Sequence, residues 1–160
     1  MHSNTPEVTL TPREDIEGYN VRMNRATFDI LSLVFEFKVA TSWQVSRFLA
    51  QKDQSKSIYL KLRRMWSADL LESFRVSSGS RASMPVYYML SKNGLKALEE
   101  RGMYDDNFIN NYPQANTLFS WGLFNHESQV TELASMEAKN KSANFDITFK
   151  GELRSGSYDF

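Results

Sequence analysis

The stretch Ser55 to Trp66, SKSIYLKLRRMW, limits what this chain can fold into more than any other. At 100° per residue Ile58, Leu62 and Met65 fall on one stripe of a helix, while Lys56, Tyr59, Arg63 and Arg64 point broadly away from it. One side can pack, and the other is left for water or for an anion. Leu70 and Leu71 follow, then a strand from Glu72 to Val76, a small-residue turn at Ser77-Ser78-Gly79-Ser80 and a second strand from Pro85 to Leu90. A basic amphipathic helix that runs into a hairpin is the frame for the rest.

Upstream, Phe28, Leu31, Leu33, Val34 and Phe37 recur at helical spacing and predict a first helix from about Arg25 to Lys38. Thr41-Ser42-Trp43-Gln44 has the form of a capping box, in which the threonine hydroxyl serves the third amide and the glutamine reaches back. A second helix therefore starts there and runs through Val45, Phe48 and Leu49 to about Ala50. Gln51 to Gln54 is a polar turn, short enough for two helices that cross steeply. Downstream, Ser91 is a plausible cap, Leu95 and Leu98 mark a short helix, and Gly102 ends it. Tyr87 and Tyr88 alternate along the second strand, so one is expected to face the core and the other out.

Composition bounds the chemistry. With 160 residues, 41% hydrophobic and 24% charged, the chain suits one compact domain with appended elements. The absence of cysteine excludes disulfides, thiol zinc sites and a cysteine nucleophile, and two histidines, His2 and His126, do not build a metal site at their spacing. No glycine-rich phosphate loop, nucleophile motif or paired acid and base appears, so neither an enzyme nor a cofactor is expected. No apolar run approaches the roughly 20 residues of a membrane span, and no leader opens the chain, so a soluble, cytoplasmic protein is expected. The formal net charge of zero hides a division: residues 21–101 hold 14 Lys or Arg against 7 Asp or Glu, and the remainder holds 5 against 12. Cations clustered on one segment are the footprint of a phosphate-binding module.

Two helices joined by a turn, the second basic and amphipathic, suit a DNA major groove, and the following hairpin would form a wing. The expected fold is mainly α with a small β-hairpin wing: a winged helix-turn-helix plus a C-terminal helix and strand. Ser55, Lys56, Ser57 and Tyr59 would approach base edges or phosphates, Arg63 and Arg64 would hold the backbone, Arg75 and Arg81 would do so from the wing, and Lys61 is a further DNA-binding cation of the helix. The partner would be double-stranded DNA. Leu60 falls on the supposed reading face, which suits a thymine methyl or a protein partner. Trp66, at the far end of the helix, is expected to fill the core.

The stretches TFDILSLVFEFKVATSWQVSRFLAQ, SIYLKLRRMWSADLLES and PVYYMLSKNGLKALEERG resemble the winged-helix proteins of bacteria and mobile elements. They are nearest in style to the plasmid replication-relaxation family, with MarR- and PadR-like regulators behind it. The resemblance covers about half of the chain and implies a transcription regulator or an accessory of plasmid replication. It departs from the usual pattern at Ala68-Asp69-Leu70, where a glycine would precede the wing strand. The alternative is a winged helix that serves as a protein-docking subunit of a replication or defence assembly, without DNA binding.

The expected organisation is a flexible N-terminal arm over 1–20, the winged helix-turn-helix domain over 21–102, a connector over 103–117, and a C-terminal helix and strand over 118–160. In the last, Phe119, Leu123, His126, Val130, Leu133 and Glu137 recur at spacings of four and three, with Glu127 and Glu132 off the seam. Two readings stay open. The helix makes a homodimer contact through Phe119, Leu123, Val130 and Leu133, as the resemblance implies, or it packs on its own domain. His126 is expected to be partly buried with a hydrogen-bond partner. Phe145, Ile147 and Phe149 alternate with polar residues, as in a strand from Asn144 to Glu152. In relatives of the replication-relaxation type a nuclease-like domain begins here, with Glu152 and Asp159 as candidate acidic positions. The chain ends at Phe160, too early to complete that sheet, so a shortened protein or a fragment is expected and catalysis is not.

Overall fold

Asn24 opens the first helix: its side-chain oxygen accepts the Thr27 amide at 3.1 Å. The apolar residues that follow at helical spacing build α1 (Arg25–Phe37), burying Ile30, Leu31, Leu33, Val34 and Phe37 completely or nearly so. The computed structural model describes residues 7–12, 21–49, 55–77, 85–112 and 121–140. Helix α1 ends at Lys38, where φ is 65° and the Val39 amide donates to the Phe37 carbonyl at 2.8 Å. This is a positive-φ γ-turn, a strained conformation that the surroundings must hold. The Tyr112 hydroxyl does so by donating to the Lys38 carbonyl at 3.1 Å while accepting the Leu90 amide at 2.9 Å.

The turn leads into a two-residue strand that the sequence did not announce. In chain order the strands are β1 (Glu7–Leu10), β2 (Ala40–Thr41), β3 (Leu71–Ser77) and β4 (Tyr87–Leu90), all antiparallel and lying side by side as β1-β3-β4-β2. Residues 7–10, expected within a flexible arm, therefore form an edge strand, with Glu7 opposite Ser77 and Leu10 opposite Phe74. Pairing with β3 satisfies backbone groups that the periodicity of so short a polar segment does not advertise.

Thr41 caps α2 (Ser42–Phe48) as its sequence predicts. The Gln44 amide donates to Thr41 Oγ1 at 3.2 Å and the Thr41 amide to Gln44 Oε1 at 3.0 Å. Next comes α3 (Ser55–Ser67), which buries Ile58, Leu62, Met65 and Trp66. It ends without a glycine. Asp69 takes φ 62°, its amide donates to the Trp66 carbonyl at 3.0 Å, and the Leu70 amide donates to the Met65 carbonyl at 2.9 Å. That is the Schellman pattern with aspartate in the left-handed position, so the turn stays tight despite the departure at Ala68-Asp69-Leu70.

Helix α4 (Lys92–Glu100) starts at Ser91, whose Oγ accepts the Gly94 amide at 3.1 Å and donates to the Asp69 carbonyl at 2.5 Å. Gly102, at φ 68°, follows its end. The expected connector is structured from its start: Asp105 caps α5 (Asp106–Asn110), and Ile109 and Tyr112 enter the core. The last described element is α6 (Trp121–Asn140). Taken together, the described residues are mainly helical with a small antiparallel sheet. The expected strand at Asn144–Glu152 lies outside the described residues, as do Glu152 and Asp159.

Strand alternation gives the sheet two faces. Leu71 and Ser73 of β3 are in register with Leu90 and Tyr88 of β4, while Glu72 and Phe74 are in register with Met89 and Tyr87. On the second face, Phe124 of α6 meets Tyr87 edge-on at 4.9 Å and Phe74 at 5.7 Å between ring centroids. Tyr88 is buried, and Tyr87 is half-buried beneath α6 rather than facing out.

Candidate nucleic-acid interface

The apolar stripe of α3 fixes what its other side presents. With Ile58, Leu62, Met65 and Trp66 turned inward, Ser57, Tyr59, Leu60, Arg63 and Arg64 are exposed. Tyr59 and Leu60 keep 42% and 40% of their surface, so neither fills the core, whereas Trp66 does. Lys61 sits at the margin of the stripe, half-buried, and desolvation lowers the pKa of its ammonium group.

Arg63 stands one turn after Tyr59 on α3, and the chain then turns at Asp69 into β3, which carries Arg75 on its exposed part. Arg75 lies two residues past Ser73, the register partner of Tyr88, so it shares the Tyr88 side of the sheet. The Tyr88 phenol reports what surrounds it. Burial pushes its pKa up to about 12, Tyr59 adds to the rise, and the positive charges of Arg63 and Arg75 act in the opposite sense. Tyr59 and Arg63 from the helix and Arg75 from the strand thus all act electrostatically on one buried tyrosine. Two guanidinium groups on separate elements, with an exposed ring beside them, form a surface chemically matched to phosphate oxygens and flat bases.

Of the other expected contacts, Ser55 and Lys56 lie in the first turn of α3, with side chains outside the described residues. Arg81 and the turn at Ser78–Ser80 also lie outside them. Tyr88 was not singled out by sequence. The alternation of Tyr87 and Tyr88 says that they face opposite ways, but which of them faces α3 depends on the register with β3. Trp43, exposed on the first turn of α2 with the Arg47 guanidinium 5.8 Å from its ring, was missed as well.

The C-terminal helix departs from the expected seam. The face that α6 turns to its own domain carries Phe124, Glu127, Thr131, Ala134, Ser135 and Ala138, all buried. Thr131 Oγ1 donates to the Val39 carbonyl at 2.8 Å, beside the strained turn, and Lys38 Nζ pairs with Glu127 at 3.1 Å. Glu132 pairs with Arg47 of α2 at 2.6 Å and accepts from Gln44 at 2.8 Å. Burial raises the Glu132 pKa, but the hydrogen bonds from Gln44 and Arg47 and the charge of Arg47 outweigh it and hold the carboxyl below its usual range. Of the expected dimer residues, Val130 is partly buried against its own core and Leu133 is exposed. The side chain of Leu123 and the whole of Phe119 lie outside the described residues. His126 is exposed rather than embedded, and Glu127 is buried rather than wet. The seam was misplaced because the real inner face is built from small and polar residues whose partners are backbone carbonyls and cations, which hydrophobic periodicity does not detect.

No family model, curated protein or solved structure matches the chain. Among the described residues no cluster of His, Asp or Glu could hold a metal ion, and no helix is long and apolar enough to cross a membrane.

Proposed function

We propose that this chain is a winged helix-turn-helix protein that binds duplex DNA, with α3 entering the major groove and the β3–β4 hairpin acting as the wing. The element order supports it: α1, the short β2, α2, α3, and then two strands of which the second lies between β3 and β2. The single observation that carries the reading is that α3 exposes Tyr59, Arg63 and Arg64 and that β3, which follows it, exposes Arg75 on the Tyr88 side of the sheet. In this reading Ser57, Tyr59 and Leu60 face base edges, with Leu60 against a thymine methyl, and Arg63, Arg64 and Arg75 hold phosphates. Its cellular role would be that of a transcription regulator or of a replication accessory of a mobile element. Electrophoretic mobility shift with mixed-sequence duplex tests it: wild type retards the duplex at low salt, and Arg75→Ala does so less.

A protein-docking module is the second reading, favoured by the exposure of Leu60 among the cations and of Trp43 on α2. Wild-type protein that fails to retard any duplex at low salt would select it.

A further inference from the structure

We infer that the outer face of α6 is a self-association surface on which a second copy of this chain docks with its own α6 running antiparallel. This goes beyond DNA binding and does not depend on it. Helix α6 has two sides of different character. The inner side, from Phe124 through Glu127, Thr131 and Ala134 to Ala138, is used up by its own domain. On the outer side His126, Gln129, Leu133 and Met136 recur at spacings of three and four, all exposed. That spacing is the seam of a paired helix. At its centre Leu133 and Met136 leave 61% and 48% of their surface in water.

The charges beside the seam choose the occupant and its direction. Glu132 and Lys139 flank one edge, and Val130 and Glu137 flank the other. In a parallel pair opposite edges meet, which sets Glu132 against Glu137 of the second copy, twice over. In an antiparallel pair with its two-fold axis between Ala134 and Ser135, Leu133 packs on Met136 of the second copy and the reverse. Like edges then meet, and Glu132 faces Lys139 of the second copy at both symmetry-related places. Unlike charges on the edges of a helix pair set its orientation, so this pattern is self-complementary only in the antiparallel sense. Glu132 can take the extra cation: with Arg47 bound, its side chain is still 43% exposed. Two large apolar side chains from each copy fall well short of the roughly 800 Å² per partner of a tight complex, so the association belongs at roughly 10–100 µM.

The chain contains no cysteine, which makes directed cross-linking clean. In the proposed register position 129 faces position 140 of the second copy. The two copies of position 129 are separated by about 16 Å along the axis, too far for a disulfide. Under mild oxidation without DNA, an equimolar mixture of Gln129→Cys and Asn140→Cys should give the mixed disulfide dimer, and neither variant alone should dimerise. Homodimers from each variant alone would mean a parallel pair and overturn the proposal. So would the absence of any cross-link together with purely monomeric sedimentation of wild type at several hundred micromolar. As a second arm, Leu133→Glu, at a site that needs no burial for folding, should keep its helical circular dichroism and lower the dimer fraction at least tenfold. An unchanged dimer fraction would also overturn the proposal. Because no arm contains DNA, failure here is distinguishable from failure of the DNA-binding reading.

Discussion

Replacing Gly94 by alanine should destabilise the fold by about 2 kcal/mol, although alanine is the better helix former. A Cβ built on Gly94 clashes with the Leu70 carbonyl oxygen and meets its carbon at 3.2 Å and Leu90 Cδ2 at 3.2 Å, where ordinary contacts begin at 3.4 Å. The neighbour that must retreat is backbone, and it is pinned on both sides. The Leu70 carbonyl accepts the Ser91 amide at 3.2 Å, and the Leu70 amide belongs to the Schellman turn that ends α3. Helix propensity favours alanine by about 1 kcal/mol. Against that stand about 2 kcal/mol for overpacking and about 1 kcal/mol for the Leu70–Ser91 hydrogen bond. With a urea dependence of about 2 kcal/mol per molar, the unfolding midpoint should fall by about 1 M. Gly102→Ala is the control. Its added Cβ meets nothing within 4 Å, but φ is +68°, so only backbone strain of about 1 kcal/mol is expected and the midpoint should fall about half as far. A Gly94→Ala midpoint equal to or above wild type would show that α4 does not approach Leu70 as described.

Acid should undo the docking of α6 on α2. The Glu132 carboxyl is held below 4.5 in the folded protein, so it adds stability above that value and loses it as pH falls through the lower folded pKa. Stability against pH should drop more steeply for wild type than for Glu132→Gln, and parallel profiles would contradict the pairing with Arg47. In ultraviolet titration, Tyr88→Phe should remove a phenol that ionises near 12; loss of one that ionises near 10.0 would mean that Tyr88 is not buried. Asp69→Gly should stay within about 0.5 kcal/mol of wild type, since glycine relieves the positive φ but loses the 2.7 Å bond to Asn93. Asp69→Val, which tolerates that φ poorly, should lose about 2 kcal/mol, as read from the same urea midpoints.

Elements with their own local signal could be located from the residues alone. The Thr41–Gln44 capping box, the Ile58-Leu62-Met65 stripe and the Ser91 cap all depend on neighbours within one or two turns, and each lies where its pattern puts it. What escaped were features whose cause lies far along the chain. β1 is a strand because β3 offers it an edge, and α5 belongs to the core because Tyr112 reaches the ends of α1 and β4. The inner face of α6 escaped for a related reason. Thr131 and Glu127 are buried against the turn at Lys38, some 90 positions earlier, and hydropathy scores them as surface. At the candidate interface the exposed side of α3 could be located, whereas the place of Arg75 and Tyr88 beside it depends on the β3–β4 register. The departure from glycine at Ala68-Asp69-Leu70 was visible, but its resolution by an aspartate at positive φ required the structure.

The most direct test of DNA binding is fluorescence anisotropy of labelled mixed-sequence duplex titrated with wild type and with an Arg63→Ala/Arg75→Ala double variant across a salt series. Each lost phosphate contact should flatten the slope of log affinity against log salt by about one unit, so the double variant should bind more weakly to every duplex with a slope reduced by about two. Equal affinity and equal slope for the two proteins, or no binding by wild type at low salt, would contradict a DNA-facing role for α3 and β3.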